Sequence, residues 1–186
     1  MSIILGIDPG LNTTGYGVVE YAAGQPPRLR EGGVVRSKAS GSLEQRLAEI
    51  HSGIAEVFAA FHPDTAALEE LYSHYQRPKT AIVMGHARGV ICLAAAQHNT
   101  PLEHYAATRI KKTLTGNGRA SKTQMQHAIQ TQFGLAKPPE PNDVADALAI
   151  ALCHAFLHVQ QADNLLRQAT REPWESDSCS PKLQAG

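Results

Sequence analysis

Residues 3–10, IILGIDPG, constrain this chain more than any other stretch. Ile3, Ile4, Leu5, Gly6 and Ile7 form an unbroken apolar run, the pattern of a strand covered on both faces rather than on one. Asp8 follows at once, and Pro9-Gly10 forces a turn behind it. A carboxylate is therefore held at the rim of a sheet by stiff backbone on either side. Two readings are open on this stretch alone: Asp8 initiates an Asp-Pro-Gly turn, or it is a functional acid presented by a buried strand.

The following segments supply the rest of such a sheet. Tyr16 to Ala22 alternates as a second strand, and Gly32 to Ser37 completes an antiparallel meander. The period then changes. Ser42 with Gln45 resembles a capping box, and Leu43, Leu47, Ile50, Ile54, Val57 and Phe58 recur at helical spacing up to His62-Pro63. A helix in that place is a crossover, so the short strand Thr65 to Leu68 is expected to run parallel to the first. It too ends in acid, Glu69-Glu70, which sets Glu69 beside Asp8 unless both are ordinary solvated loop acids. Further on, the sequence predicts a helix over Thr80 to Gln97, a strand over Pro101 to Tyr105, a short basic helix over Thr108 to Leu114 and another over Ser121 to Phe133. A last helix begins at Asn142, a suitable N-cap, and continues to about Val159. The domain therefore spans residues 1–160, and residues 161–186 read as a flexible polar tail.

Charge is decisive only once it is resolved along the chain, because the net formal charge is zero. Residues 1–70 carry nine acids and five bases, whereas residues 71–139 carry nine bases and one acid, Glu103. A block this free of compensating acids favours a polyanion partner over a merely solvated face. Within it, the loop Leu71 to Lys79 mixes Tyr72 and Tyr75 with Arg77 and Lys79, a combination able to stack on bases and neutralise phosphates. Arg109, Lys111, Lys112, Arg119 and Lys122 bracket the turn Gly116-Asn117-Gly118, suited to gripping backbone phosphates from two helix ends. Gly85 and Gly89, four apart in an apolar helix, permit close approach of a neighbour; core packing and a homodimer face are both open.

Three cysteines without a CxxC spacing favour a reducing, cytoplasmic setting, and no membrane-spanning run or charged leader is expected. Of nine histidines, only His154 and His158 have ligand-like spacing, and they lie about three turns beyond Asp143, so they read as packing or surface residues.

The carboxylates of EPNDVADALAIALCH are the most informative. Asp143 and Asp146 share one helix face near its start. The helix macrodipole alone would account for acids there, though not for Asp8 and Glu69. Oxygen ligands from two strand ends and one helix start suit a hard divalent cation, magnesium above all. Two such ions are a solution for in-line phosphodiester hydrolysis, which makes an acidic site beside a basic block a nuclease hypothesis.

GIDPG with TGYGVVE, the strand ending in Glu69, HARGV at His86 to Val90, the segment with Lys111 and Lys122, and DVADALAIALCH at Asp143 to His154 together resemble the RuvC family of bacterial Holliday-junction resolvases. The resemblance runs in order from Ile3 to about Val159. It implies an α/β, ribonuclease-H-like fold with a mixed five-stranded sheet flanked by helices, and a homodimer that nicks two opposing strands of four-way junction DNA. It also implies two magnesium ions per site, with manganese as a substitute, and cooperation with the RuvA–RuvB branch-migration complex. Carried over by position, the catalytic and metal-binding acids are Asp8, Glu69, Asp143 and Asp146; Lys111 and Lys122 match junction-binding lysines, and Tyr72 falls where the family places an aromatic residue near the crossover. Leu11-Asn12 stands where many relatives have Ser-Arg, removing a phosphate contact from that turn. Alternatives are a ribonuclease-H-like enzyme acting on RNA and a catalytically silent junction binder. An actin-like nucleotide-binding protein would need a second phosphate loop and a longer chain.

Overall fold

The computed structural model describes residues 1–22, 24–71 and 78–169. Its elements follow in the order β1 (Ser2–Asp8), β2 (Thr13–Tyr21), β3 (Arg28–Arg36), α1 (Leu43–Phe61), β4 (Thr65–Glu69), α2 (Pro78–Gln97), β5 (Leu102–Tyr105), α3 (Ala107–Thr115), α4 (Lys122–Phe133) and α5 (Asn142–Ala169). The five strands form one sheet ordered β3-β2-β1-β4-β5. β1 to β3 are antiparallel, and after the α1 crossover β4 and β5 run parallel to β1, so the sheet is mixed.

β1 is central, and its alternation assigns the two faces. Leu5 and Ile7 join Ile50, Ile54 and Phe58 of α1 and Ala87 and Ile91 of α2 in one core, while Ile4 joins Leu148, Ala151 and Leu152 of α5 in the other. The unbroken apolar run is thus a strand between two helical layers.

α5 approaches the sheet unusually closely because the strands beneath it carry glycine. Gly6, Gly17 and Gly32 are register partners across β1, β2 and β3. A β-carbon on Gly6 would come within 2.6 Å of Ala151 N, and one on Gly17 within 2.6 Å of Leu148 Cδ2. Gly15 lies in the same way against the Asp143 backbone. Only a bare backbone fits between the sheet and this helix.

Several boundaries differ from those read in the sequence. β3 begins at Arg28, because an edge strand with Arg28, Arg30 and Glu31 turned to solvent lacks an apolar alternation. Asn142 is the first residue of α5 rather than its N-cap, and its Oδ1 accepts from Gln126 Nε2 at 2.8 Å. α5 itself continues to Ala169. α1 is capped as expected on one side of the box, Ser42 N donating to Gln45 Oε1 at 3.0 Å. The expectation that no run reaches membrane-spanning length is corrected: Lys79–Gln97 of α2 is long and apolar enough by composition. Ala87, Ile91, Ala94 and Ala95 of that helix are nevertheless buried in the chain's own core.

Gly6→Ala should lower unfolding stability by about 3 kcal/mol, since the new methyl meets helix backbone that cannot move aside. Denaturant midpoints for the two proteins check this, and an unchanged midpoint would contradict the close helix-to-sheet contact.

Candidate active site

Strand parity decides where the first two acids point. Asp8 shares the face of Ile4 and Gly6, and Glu69 that of Ala67, so both side chains leave the sheet on the side of α5. The β1–β4 register ends at Ile7 opposite Leu68, which makes Asp8 and Glu69 the next neighbours at the rim. Across β2, Asp8 is the register partner of Gly15, the residue on which Asp143 rests. Asp146, one turn further along α5, faces the same place.

The four acids interact. Burial, then Asp146, Glu69 and Asp143, push the Asp8 carboxyl up to about 7, with Lys122 opposing. Burial and Asp146 raise Glu69, against Lys111 and Arg88. Burial and Asp143 raise Asp146, against Lys122 and Lys111. Three elements from distant parts of the chain thus concentrate negative charge in partly desolvated surroundings, which is the commonest physical signature of a functional site.

The donor set is chemically suited to a hard divalent cation: all four side chains are carboxylates, without imidazole or thiolate. Among the described residues, no three His, Cys, Asp or Glu side chains stand as a ready-made metal-ligand group. Mutually repelling carboxylates brought together by backbone need not converge on one point until a positive charge lies among them.

The bases divide. Lys111 and Lys122 face the acids closely enough to oppose their protonation. Arg109 and Lys112, on another flank of α3, line a separate open hollow with Thr108, Thr113, Gly118 and Leu157. Arg119 is exposed in the turn, where its N–H donates to Asn117 Oδ1 at 2.9 Å, and Lys79 is exposed at the start of α2. Tyr72 and Arg77 lie outside the described residues. His154 is buried and hydrogen-bonded through Nδ1 to the Tyr105 hydroxyl at 2.7 Å, with His158 edge-on at 5.0 Å, a packing arrangement away from the acids.

Two bases near the site make contacts that the sequence did not assign. Arg46 of α1 reaches the turn after β1, where Nη2 donates to Asn12 Oδ1 and Nε donates to Ser37 Oγ at 3.1 Å. No local pattern announces that contact. Arg88 of α2 lines the rim pocket with Asp8, Pro9, Glu69, Glu70, Leu71 and Met84. Its signal was a cation in the middle of an apolar stretch, within HARGV.

A mixed five-stranded sheet with a central strand ending in acid, a parallel neighbour ending in acid and a terminal helix bringing two more defines the nucleases of the ribonuclease-H-like class. The family model described as crossover junction endodeoxyribonuclease RuvC matches residues 4–154. A crossover junction endodeoxyribonuclease RuvC from Rhodopirellula baltica is 58% identical over 170 residues, covering 90% of this chain and 92% of the relative. The solved structure of Thermus thermophilus RuvC in complex with Holliday junction substrate superposes with a TM-score of 0.81 at 34% identity, covering 87% of this chain and 97% of that one. The yeast mitochondrial Holliday junction resolvase Ydc2 shares the fold, with a TM-score of 0.63 at 13% identity over 90% of this chain and 84% of its own. The chain belongs to the RuvC family of crossover junction endodeoxyribonucleases.

The Asp8 shift has a testable sign. With its pKa raised to about 7, the folded chain holds this proton more tightly than the unfolded chain does. The stability from this group is therefore complete below the ordinary carboxylate range and is lost as pH rises through about 7. In chelator, Asp8→Asn should melt with the wild type near pH 4 and several degrees above it at about pH 8. An equal difference at both pH values would place the carboxylate outside the acid cluster.

Proposed function

We propose that this resolvase hydrolyses phosphodiesters in two opposing strands of a four-way DNA junction, with Asp8, Glu69, Asp143 and Asp146 holding two magnesium ions that manganese can replace. The observation that carries this reading is the convergence of four carboxylates from β1, β4 and α5, with Asp8, Glu69 and Asp146 each raised by burial and by a neighbouring acid of the set. Magnesium bound there would supply the Lewis acidity that activates water and stabilises the leaving oxygen. Asp8, at the centre of the repulsion, has to surrender its proton to serve as a ligand, so metal binding and proton release are coupled. Glu69 and Asp146 would hold the ion together with Asp8, and the contact of the Asp143 backbone with Gly15 fixes the approach of α5. Lys111 and Lys122 neutralise the incoming phosphate where it would otherwise be repelled by the acids. Arg109, Lys112, Arg119, Lys79 and Arg77 extend the grip along the DNA arms, with Tyr72 placed near the crossover by family resemblance. The substrate accords with the Thermus thermophilus relative, which was solved with a Holliday junction.

The working unit is a homodimer built on α2. Ile82, 60% exposed, and Leu93, 52% exposed, flank Gly85 and Gly89 on one helical stripe. Among the described residues, and apart from its own helix turn, a β-carbon at either glycine would meet nothing within 4 Å. Their small size serves no packing among the described residues, and an apolar stripe with two gaps suits a second copy of the same helix. Cooperation with the RuvA–RuvB complex rests on the family resemblance alone. A cytoplasmic setting agrees with the unpaired thiols of Cys92 and Cys153.

The central experiment is cleavage of a labelled four-way junction beside linear duplex and RNA–DNA hybrid, with and without magnesium. Paired, metal-dependent nicks confined to the junction are expected; Asp8→Asn should abolish them and retain junction binding in a gel shift. Cleavage of the hybrid in preference to the junction would contradict the substrate assignment. Lys111→Ala should weaken binding and reduce the slope of log affinity against log salt by about one. Gly89→Leu should convert the dimer to monomer in light scattering and replace paired nicks by slow single ones; a stable dimer would remove α2 from the interface.

A further inference from the structure

We propose that Arg88 is a positioning residue for Glu69, reaching from α2 to grip the backbone end of β4 at the sheet rim. This rests on the reading of Glu69 as a metal ligand. Arg88 Nη1 donates to the backbone carbonyl of Glu69, and Nη2 donates to His104 Nδ1 on β5. The guanidinium can only donate, so Nδ1 accepts and the ring proton of His104 resides on Nε2. One planar fork therefore ties two adjacent strands together at the rim where the Glu69 side chain departs.

The position explains why a fork is needed there. The β1–β4 ladder ends at Ile7 opposite Leu68, so no residue of β1 pairs with Glu69. On the β5 side, Glu70 N donates to Tyr105 O at 2.9 Å. Arg88 thus supplies a hydrogen bond to the Glu69 carbonyl just where β1 pairing stops. Its own base is firm, since the flanking Ala87 and Ile91 are fully buried against β1, β4 and α1. No carboxylate forms an ion pair with Arg88 among the described residues, which leaves its donors committed to the carbonyl and the imidazole. Lysine could retain the positive charge beside Glu69 but not both directed bonds.

The consequence is a ligand aimed by an arginine that never touches the ion. Side chains that orient ligands from behind typically alter metal affinity by about 10–100-fold when removed. The test uses the full-length chain, stripped of metal and titrated with manganese followed by electron paramagnetic resonance, with junction gel shifts in chelator as a parallel readout. Arg88→Met should bind manganese at least about tenfold more weakly, and Arg88→Lys should also lose affinity, each keeping junction binding within about twofold of wild type. His104→Gln should resemble wild type, because its amide oxygen can accept in place of Nδ1, whereas His104→Leu should bind manganese more weakly. Should Arg88→Met fail to fold, Arg88→Lys and His104→Leu still decide the matter. Wild-type manganese affinity in Arg88→Lys or Arg88→Met would overturn the positioning role, as would a loss of metal-free junction binding, which would make Arg88 a DNA contact. Glu69→Gln separates the two readings. Full manganese affinity in that variant would remove Glu69 from the ligand set; its loss there with full affinity in Arg88→Met would overturn the role of Arg88 alone.

Discussion

The contact between α5 and the glycine-lined face of β1 and β2 is the one on which the rest depends. Asp143 and Asp146 belong to the C-terminal third of the chain and Asp8 to its first strand, and nothing but the seating of that helix brings them together. Gly6, Gly15 and Gly17 let helix backbone rest on strand backbone. A conventional side-chain layer would hold the helix farther out and leave its acids as ordinary solvated residues of a first turn. Burial of Val144, Ala145, Leu148 and Ala151 stabilises the seating and offsets the repulsion between the carboxylates it brings together.

That repulsion is a cost built into this arrangement of strands and helix. Buried carboxylates side by side are destabilising unless something positive intervenes. Lys111 and Lys122 relieve it in part from α3 and α4, but from the periphery of the cluster. The site is therefore built with too little positive charge of its own, and the surrounding hydrophobic layers carry the strain.

Much of this was legible in the sequence. The apolar run into Asp8, the period change at Ser42 and the second acid-terminated strand sufficed to place Asp8 beside Glu69, because a right-handed crossover leaves few topologies. The acid spacing in α5 was equally readable. What the sequence withheld was tertiary. The glycines of β1 and β2 show their purpose only with the helix above them in place, and the edge strand β3 hid its first half behind solvent-facing charges. Basic residues carried the least positional information: Lys111 and Lys112 are neighbours in the chain, yet one faces the acids and the other lines a different hollow. Arg46 and Arg88 make contacts that only the folded chain defines. Gly85 and Gly89 left two partners open, and among the described residues beyond their own helix nothing stands within 4 Å of a β-carbon at either.

The glycine bed also fixes what kind of change the molecule can absorb. Because α5 touches the sheet through backbone, its rotation about its own axis is locked by Ala147, Leu148 and Ala151 settling over Gly6 and Gly17. A single residue inserted between Asp146 and Ala151 would turn the acid pair by about 100° about that axis and aim it away from β1. An insertion in the preceding loop would leave the pair in place. The fold thus separates a segment in which length is free from one in which it is forbidden, and the border between them falls at the first turn of α5.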